Sequence, residues 1–141
     1  MPTRIADARW QGDLKSGNGH MALGSGAFDG QFSYQTRFEN GTGTNPEELI
    51  GAAHAGCYSM QFSAMLAGEG FTPDSVETHA DVEFSVSGTP TIESVALTTR
   101  GKVPNIDADT FQRLAEEAKR ACPVSRLLQG ATITLSATLD S

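Results

Sequence analysis

Polar and apolar residues alternate most regularly in residues 75–86, where Val76, Thr78, Ala80, Val82, Phe84 and Val86 take one side and Glu77, His79, Asp81 and Glu83 the other. A period of two marks a half-buried strand, because successive side chains on extended backbone point to opposite faces. The turn formers of residues 87–90 (SGTP) follow, then a long return strand over 91–103 that Pro104 ends. The period then changes to that of a helix: Phe111, Leu114, Ala115 and Ala118 form an apolar stripe at i, i+3, i+4 and i+7, with Asp107 or Asp109 as its cap. This helix stops near Ala121. Pro123 restarts a short helix through Leu128, with Cys122 at its N-cap and Gly130 beyond its end, and residues 131–139 supply a last strand. Upstream, residues 4–11 and 20–28 read as a hairpin around KSGNG, Gly24 and Gly26 mark a bulge, and residues 31–38 alternate as a third strand that Arg37 closes.

Between these strands, residues 45–69 (NPEELIGAAHAGCYSMQFSAMLAGE) form one long helix. Asn45 is its cap, Pro46 occupies the first turn where an N–H is spare, and Glu48 completes a capping-box pattern. Gly68, Gly70 and Pro73 end it. Its apolar residues point in most directions around the axis, so the helix requires burial nearly all round.

Strands joined by hairpin turns, with few helices, indicate an α+β fold with antiparallel sheets rather than a doubly wound nucleotide fold. At 141 residues the chain fits one domain, residues 1–141. Only one other helix is a good amphipathic cover, so a homodimer that buries the long helix between two sheets is expected. The net charge of −7 opposes binding to nucleic acid or anionic membrane and leaves a small molecule as the expected partner. With no apolar run of about 18 residues and no basic-then-apolar leader, a cytoplasmic protein is expected.

Two cysteines carry the candidate chemistry. Cys57 lies among Ala53, Ala55, Gly56 and Met60, surroundings that raise a thiol pKa unless a cation stands close, and a buried core cysteine is the plain alternative. Cys122, at a helix N-terminus, ranks on that ground as the more acidic thiol, with an inert cap as its alternative. Two thiols that meet permit a peroxide cycle through sulfenic acid and disulfide, reset by an external thiol. A guanidinium suits the activation of such a thiol; Arg37 is the upstream candidate, in competition with Arg100, Arg120 and Arg126. Glu48 is committed to the cap, whereas Glu47 faces elsewhere and can orient an arginine. About 15 Å of helical rise separates Glu47 from Cys57, so a clamp on the thiol has to arrive from a partner subunit unless the helix breaks near Gly51. His54 shares a side of the helix with Cys57, but no motif supplies the further ligands a metal needs, and a packed core histidine is expected. Ser59 and Ser125 read as helix-surface or capping serines.

The segments TNPEELIGAAHAGCYSM (residues 44–60), VPNIDADTF (103–111), ACPVSRLL (121–128) and YQTRFE around Arg37 resemble the signature segments of the OsmC/Ohr family, in particular its osmotically inducible OsmC branch. The resemblance implies a thiol-dependent peroxidase acting chiefly on organic hydroperoxides and more weakly on hydrogen peroxide. It also implies an intertwined homodimer whose sheets wrap central helices. It assigns Cys57 as the peroxidatic thiol, Cys122 as the resolving thiol and Arg37 with Glu47 as the activating pair, with a Cys57–Cys122 disulfide in the cycle. No bound cofactor or metal is implied; the reductant is an external dithiol such as a dihydrolipoyl group. The alternative from another class is a non-enzymatic small-molecule-binding dimer with structural cysteines.

Overall fold

A computed structural model describes all residues, Met1–Ser141. The chain divides into two compact units, Met1–Leu49 and Ile50–Ser141.

In the first unit, β1 (Ala6–Gln11), β2 (Asn18–Leu23) and β3 (Asp29–Phe32) form an antiparallel sheet in that order. Gly19 pairs with Trp10 on one side and Phe32 on the other. Those two rings close over it at 5.4 Å between centroids, and a Cβ on Gly19 would lie about 2.5 Å from the Phe32 ring. The GSG segment is not a bulge within a strand but the turn between β2 and β3: Gly26 takes φ +80° and donates its N–H to the Leu23 carbonyl at 3.0 Å. The third strand also differs from expectation. Extended backbone stops at Phe32, and α1 (Tyr34–Phe38) is a short helix. Ser33 and Thr36 explain it, because each side chain accepts a hydrogen bond from the other's backbone N–H, a reciprocal cap that outweighs the alternating pattern. Arg37 therefore sits in the last turn of a helix.

Helix α2 (Pro46–Gly68) starts at the end of the first unit and continues unbroken through Gly51. Asn45 caps it by accepting the Glu48 N–H at 2.7 Å, while Glu48 reaches past the cap backbone to the Thr44 hydroxyl at 2.8 Å. At the other end the Phe71 N–H bonds the Leu66 carbonyl and the Gly70 N–H the Ala67 carbonyl, a Schellman closure that Gly70 permits at φ +92°.

The second unit is a sheet in the order β4 (Ser75–Ser85), β5 (Thr91–Lys102), β6 (Thr132–Asp140), with α3 (Ala108–Ala121) and α4 (Pro123–Leu127) between β5 and β6. β4 and β5 pair antiparallel over the alternating segment. The antiparallel pattern expected of the sheets holds for every pair but the last: β6 runs parallel to β5, because α3 and α4 carry the chain back before β6 begins. Central strand β5 buries Val95, Leu97 and Thr99 against a core of Tyr58, Phe62 and Leu66 from α2 and Phe111, Leu114, Ala115 and Ala118 from α3. The Phe62 and Phe111 rings meet edge-on at 5.2 Å, and the Tyr58 hydroxyl donates to the Ala115 carbonyl at 3.0 Å. A hydroxyl chain, Ser59 to Thr78 at 2.7 Å and Thr78 to Thr99 at 3.0 Å, pins α2 to β4 and β5.

Within the chain α2 buries one stripe, His54, Tyr58, Phe62 and Leu66, while Ala53, Gly56, Met60 and Ala64 stay exposed, Met60 at 77%. Replacement of Phe62 by Ala, at the centre of the stripe, is expected to cost about 3–5 kcal/mol of unfolding free energy in urea titration. A loss below about 1 kcal/mol would show that α2 is not held by this core.

Candidate active site

Cys122 owes its place to Pro123. Proline has no N–H to extend the α3 ladder and disfavours helical backbone in the residue before it, so Cys122 adopts φ −55°, ψ 123° and turns the chain between α3 and α4. Its own N–H still closes α3 on the Ala118 carbonyl at 2.9 Å, and its carbonyl accepts the first α4 bond from Arg126 at 3.0 Å. The side chain makes no capping bond. Its thiol neighbours Cys57 and disfavours ionisation there, while the backbone N–H of Val124 favours it. Both cysteines are free thiols.

The two differ in access: Cys57 is partly exposed and Cys122 is fully enclosed, at 0%. A ranking based on helix-end electrostatics favoured Cys122 but took no account of burial, and a dissolved oxidant meets Cys57 first. Burial pushes the Cys57 thiol above its ordinary value of 9.0, the Val124 amide opposes this, and the hydrogen bond and charge of Cys122 push it further up.

In the first unit Arg37 donates from Nε to Glu47 Oε1 at 2.7 Å. Glu47 is nearly enclosed, and its Oε2 is buried without a hydrogen-bond partner. Asn45 ties the two elements that carry this pair, for as well as capping α2 it donates through Nδ2 to the Thr36 carbonyl of α1 at 3.0 Å. The competing arginines are engaged elsewhere or open to solvent: Arg100 pairs with Asp140, Arg120 with Glu116 at 3.9 Å, and Arg126 lies exposed on α4.

His54 is fully buried and bonds through Nε2 to the Ser125 hydroxyl at 2.7 Å; burial lowers its pKa below 6.5. Ser125 is thus neither a surface nor a capping serine, as sequence reasoning had it. Its position three residues after Cys122, on the same side of a short helix, was the signal. No group of three or more His, Cys, Asp or Glu side chains stands close enough together to hold a metal ion.

Comparison with known proteins decides the family. A family model described as OsmC-like protein matches residues 39–136. The chain belongs to this OsmC-like family. It is 48% identical over 136 residues to Peroxiredoxin OsmC of Escherichia coli (strain K12), covering 95% of this chain and 94% of that protein. It is 29% identical over 99 residues to an organic hydroperoxide resistance protein of Xanthomonas axonopodis pv. citri, 68% of this chain and 69% of that one. Among solved structures, an OsmC-like protein from Mycoplasma pneumoniae is similar with a TM-score of 0.78 at 15% identity, covering 99% of both chains. The organic hydroperoxide resistance protein OhrB of Bacillus subtilis gives 0.73 at 22% identity, covering 96% of this chain and 98% of that one. At such identities the structures show the fold, and an OsmC-like α+β fold it is.

Because the bond and charge of Cys122 both disfavour ionised Cys57, Cys122→Ala is expected to move the pH midpoint of Cys57 alkylation by iodoacetamide downward. Desolvation remains in the variant and keeps part of the upward shift. Alkylation followed by mass spectrometry across pH reads this directly; a midpoint that stays or rises would remove Cys122 as a neighbour of the reactive sulfur.

Proposed function

We propose that this OsmC-like chain is a cysteine-based peroxidase that reduces organic hydroperoxides, and hydrogen peroxide more slowly, through Cys57 and Cys122. The observation that carries the reading is the meeting of an accessible Cys57 with an enclosed Cys122, both as free thiols. The names of its relatives, a peroxiredoxin and an organic hydroperoxide resistance protein, support the substrate class.

The Cys57 thiolate attacks the outer peroxide oxygen, forming an S–O bond while the O–O bond breaks; the alkoxide leaves as an alcohol after taking a proton. The Cys122 sulfur then attacks the sulfenic acid, forming S–S and releasing the hydroxyl with the thiol proton as water. Two thiols of an external dithiol, a dihydrolipoyl group or a protein equivalent, restore both cysteines by exchange.

Arg37, oriented by Glu47, is the proposed activator, because a guanidinium stays charged and donates several bonds to a thiolate and a peroxide. The ten residues from Glu47 to Cys57 lie on one unbroken helix, about 15 Å of rise, so the pair of one subunit serves the thiol of another in a homodimer. The exposed Ala53, Gly56, Met60 and Ala64 face of α2 supports burial against a second copy. Both units are then parts of one OsmC-like domain over 1–141, a reading favoured by the family match running across their boundary.

The test is peroxide consumption with a dithiol reductant. Cys57→Ser is expected to abolish it, Cys122→Ser to permit one turnover with sulfenic acid accumulating on Cys57, and Arg37→Lys to lower the second-order rate about a hundredfold. Sedimentation is expected to show a dimer. Parent protein inactive toward both tert-butyl hydroperoxide and hydrogen peroxide when fully reduced would overturn the enzyme reading, and a fully active monomer the shared site.

A further inference from the structure

We propose that Ser125 and His54 are positioning residues: their hydrogen bond locks α4 to α2 so that the Cys122 sulfur and the Val124 amide both meet Cys57. The proposal rests on the two-thiol cycle above and deepens it.

α4 has five residues, too few to hold helical form by itself. Backbone bonds tie it to its caps, from the Arg126 N–H to the Cys122 carbonyl and from the Leu128 N–H to the Val124 carbonyl. Leu127 is 80% exposed, Val124 and Leu128 are half-buried, and Ser125 alone is buried. The Ser125–His54 bond at 2.7 Å is its side-chain hydrogen bond to the rest of the unit. It stands one turn from each sulfur, since His54 precedes Cys57 by three residues and Ser125 follows Cys122 by three.

Proton bookkeeping gives the bond a direction. The desolvated imidazole is neutral near pH 7. If Ser125 donates to Nε2, a single group is left unmatched, the Nδ1–H, which is buried without a partner. The opposite tautomer would strand both the serine proton and the Nδ1 lone pair. Ser125 therefore donates and His54 accepts. A buried ring nitrogen without a partner costs stability, which an apolar side chain of similar size would not, so packing does not account for His54.

Disulfide closure needs two sulfurs brought to about 2.05 Å. A displacement of α4 by about 1 Å is enough to slow a positioned reaction by about a hundredfold. The same displacement withdraws both the Val124 amide and Cys122, the titratable neighbour there, and their effects on Cys57 ionisation oppose each other, so closure rather than acidity reads the displacement.

The experiment uses the full-length chain with Ser125→Ala, His54→Leu and His54→Gln, the last keeping an acceptor at similar reach. Each folded variant receives one equivalent of cumene hydroperoxide; dimedone trapping reads sulfenic acid and mass spectrometry reads disulfide. Ser125→Ala and His54→Leu are expected to slow closure about tenfold or more relative to the first oxidation. His54→Gln should stay within about threefold of the parent in closure. Closure unchanged in Ser125→Ala, or His54→Gln as slow as His54→Leu, would overturn the proposal. If Ser125→Ala does not fold, the contrast between the two His54 variants decides by itself. Parent protein that forms no sulfenic acid would sink the peroxidase reading, while the rates at which diamide closes the Cys57–Cys122 disulfide in parent and variants still report whether the bond positions the two sulfurs.

Discussion

One missing N–H, that of Pro123, divides what would otherwise be a single helix, and the thiol arrangement depends on the corner it makes. Had the ladder continued, Cys122 would be one more α3 residue with its sulfur on the helix wall. The break frees its backbone to turn, closes α3 with its N–H, opens α4 with its carbonyl, and leaves the side chain free for Cys57. It also starts a short helix whose first free amide, at Val124, aims at the same sulfur. A single backbone constraint thus delivers a second thiol and a thiolate-stabilising donor together.

The corner is useful only against a fixed partner, and α2 supplies it. The His54, Tyr58, Phe62 and Leu66 stripe is bound by aromatic packing on Phe111, by the Tyr58 bond to α3 and by the hydroxyl chain to β4 and β5. Cys57 flanks this stripe, near enough to the core to be held and far enough from it to be reached. On the opposite side Met60 projects among the small residues Ala53, Gly56 and Ala64, an apolar face open to another surface.

Most of the fold was legible in residue patterns because it is set locally: the period of β4, the stripe of α3, the Asn45 cap and the Pro123 restart each need only a few neighbouring residues. Where the reading failed, the deciding interaction was of a kind that periodicity does not register. The reciprocal Ser33–Thr36 cap turned an alternating segment into α1. The direction of β6 follows from the path of two helices, not from its own sequence. The Arg37–Glu47 pair could be suggested from charge and position, but Ser125 looked like a cap because its partner lies 71 residues away.

The electrostatics set a condition on any chemistry at Cys57. Within its own unit the thiol is disfavoured as an anion by burial and by Cys122, and one amide from Val124 opposes both. A cation is the missing element. At the effective dielectric of a partly exposed site, a guanidinium about 4 Å from a thiolate contributes about 4 kcal/mol, a larger stabilisation than a single neutral hydrogen bond provides. In the proposed activation Arg37 supplies that charge, its direction held by Glu47. The unpartnered Glu47 Oε2 is also the kind of buried acceptor that a second donor would satisfy. Under the proposed shared site, a thiol kept weakly acidic until such a charge arrives forms its thiolate where two copies meet.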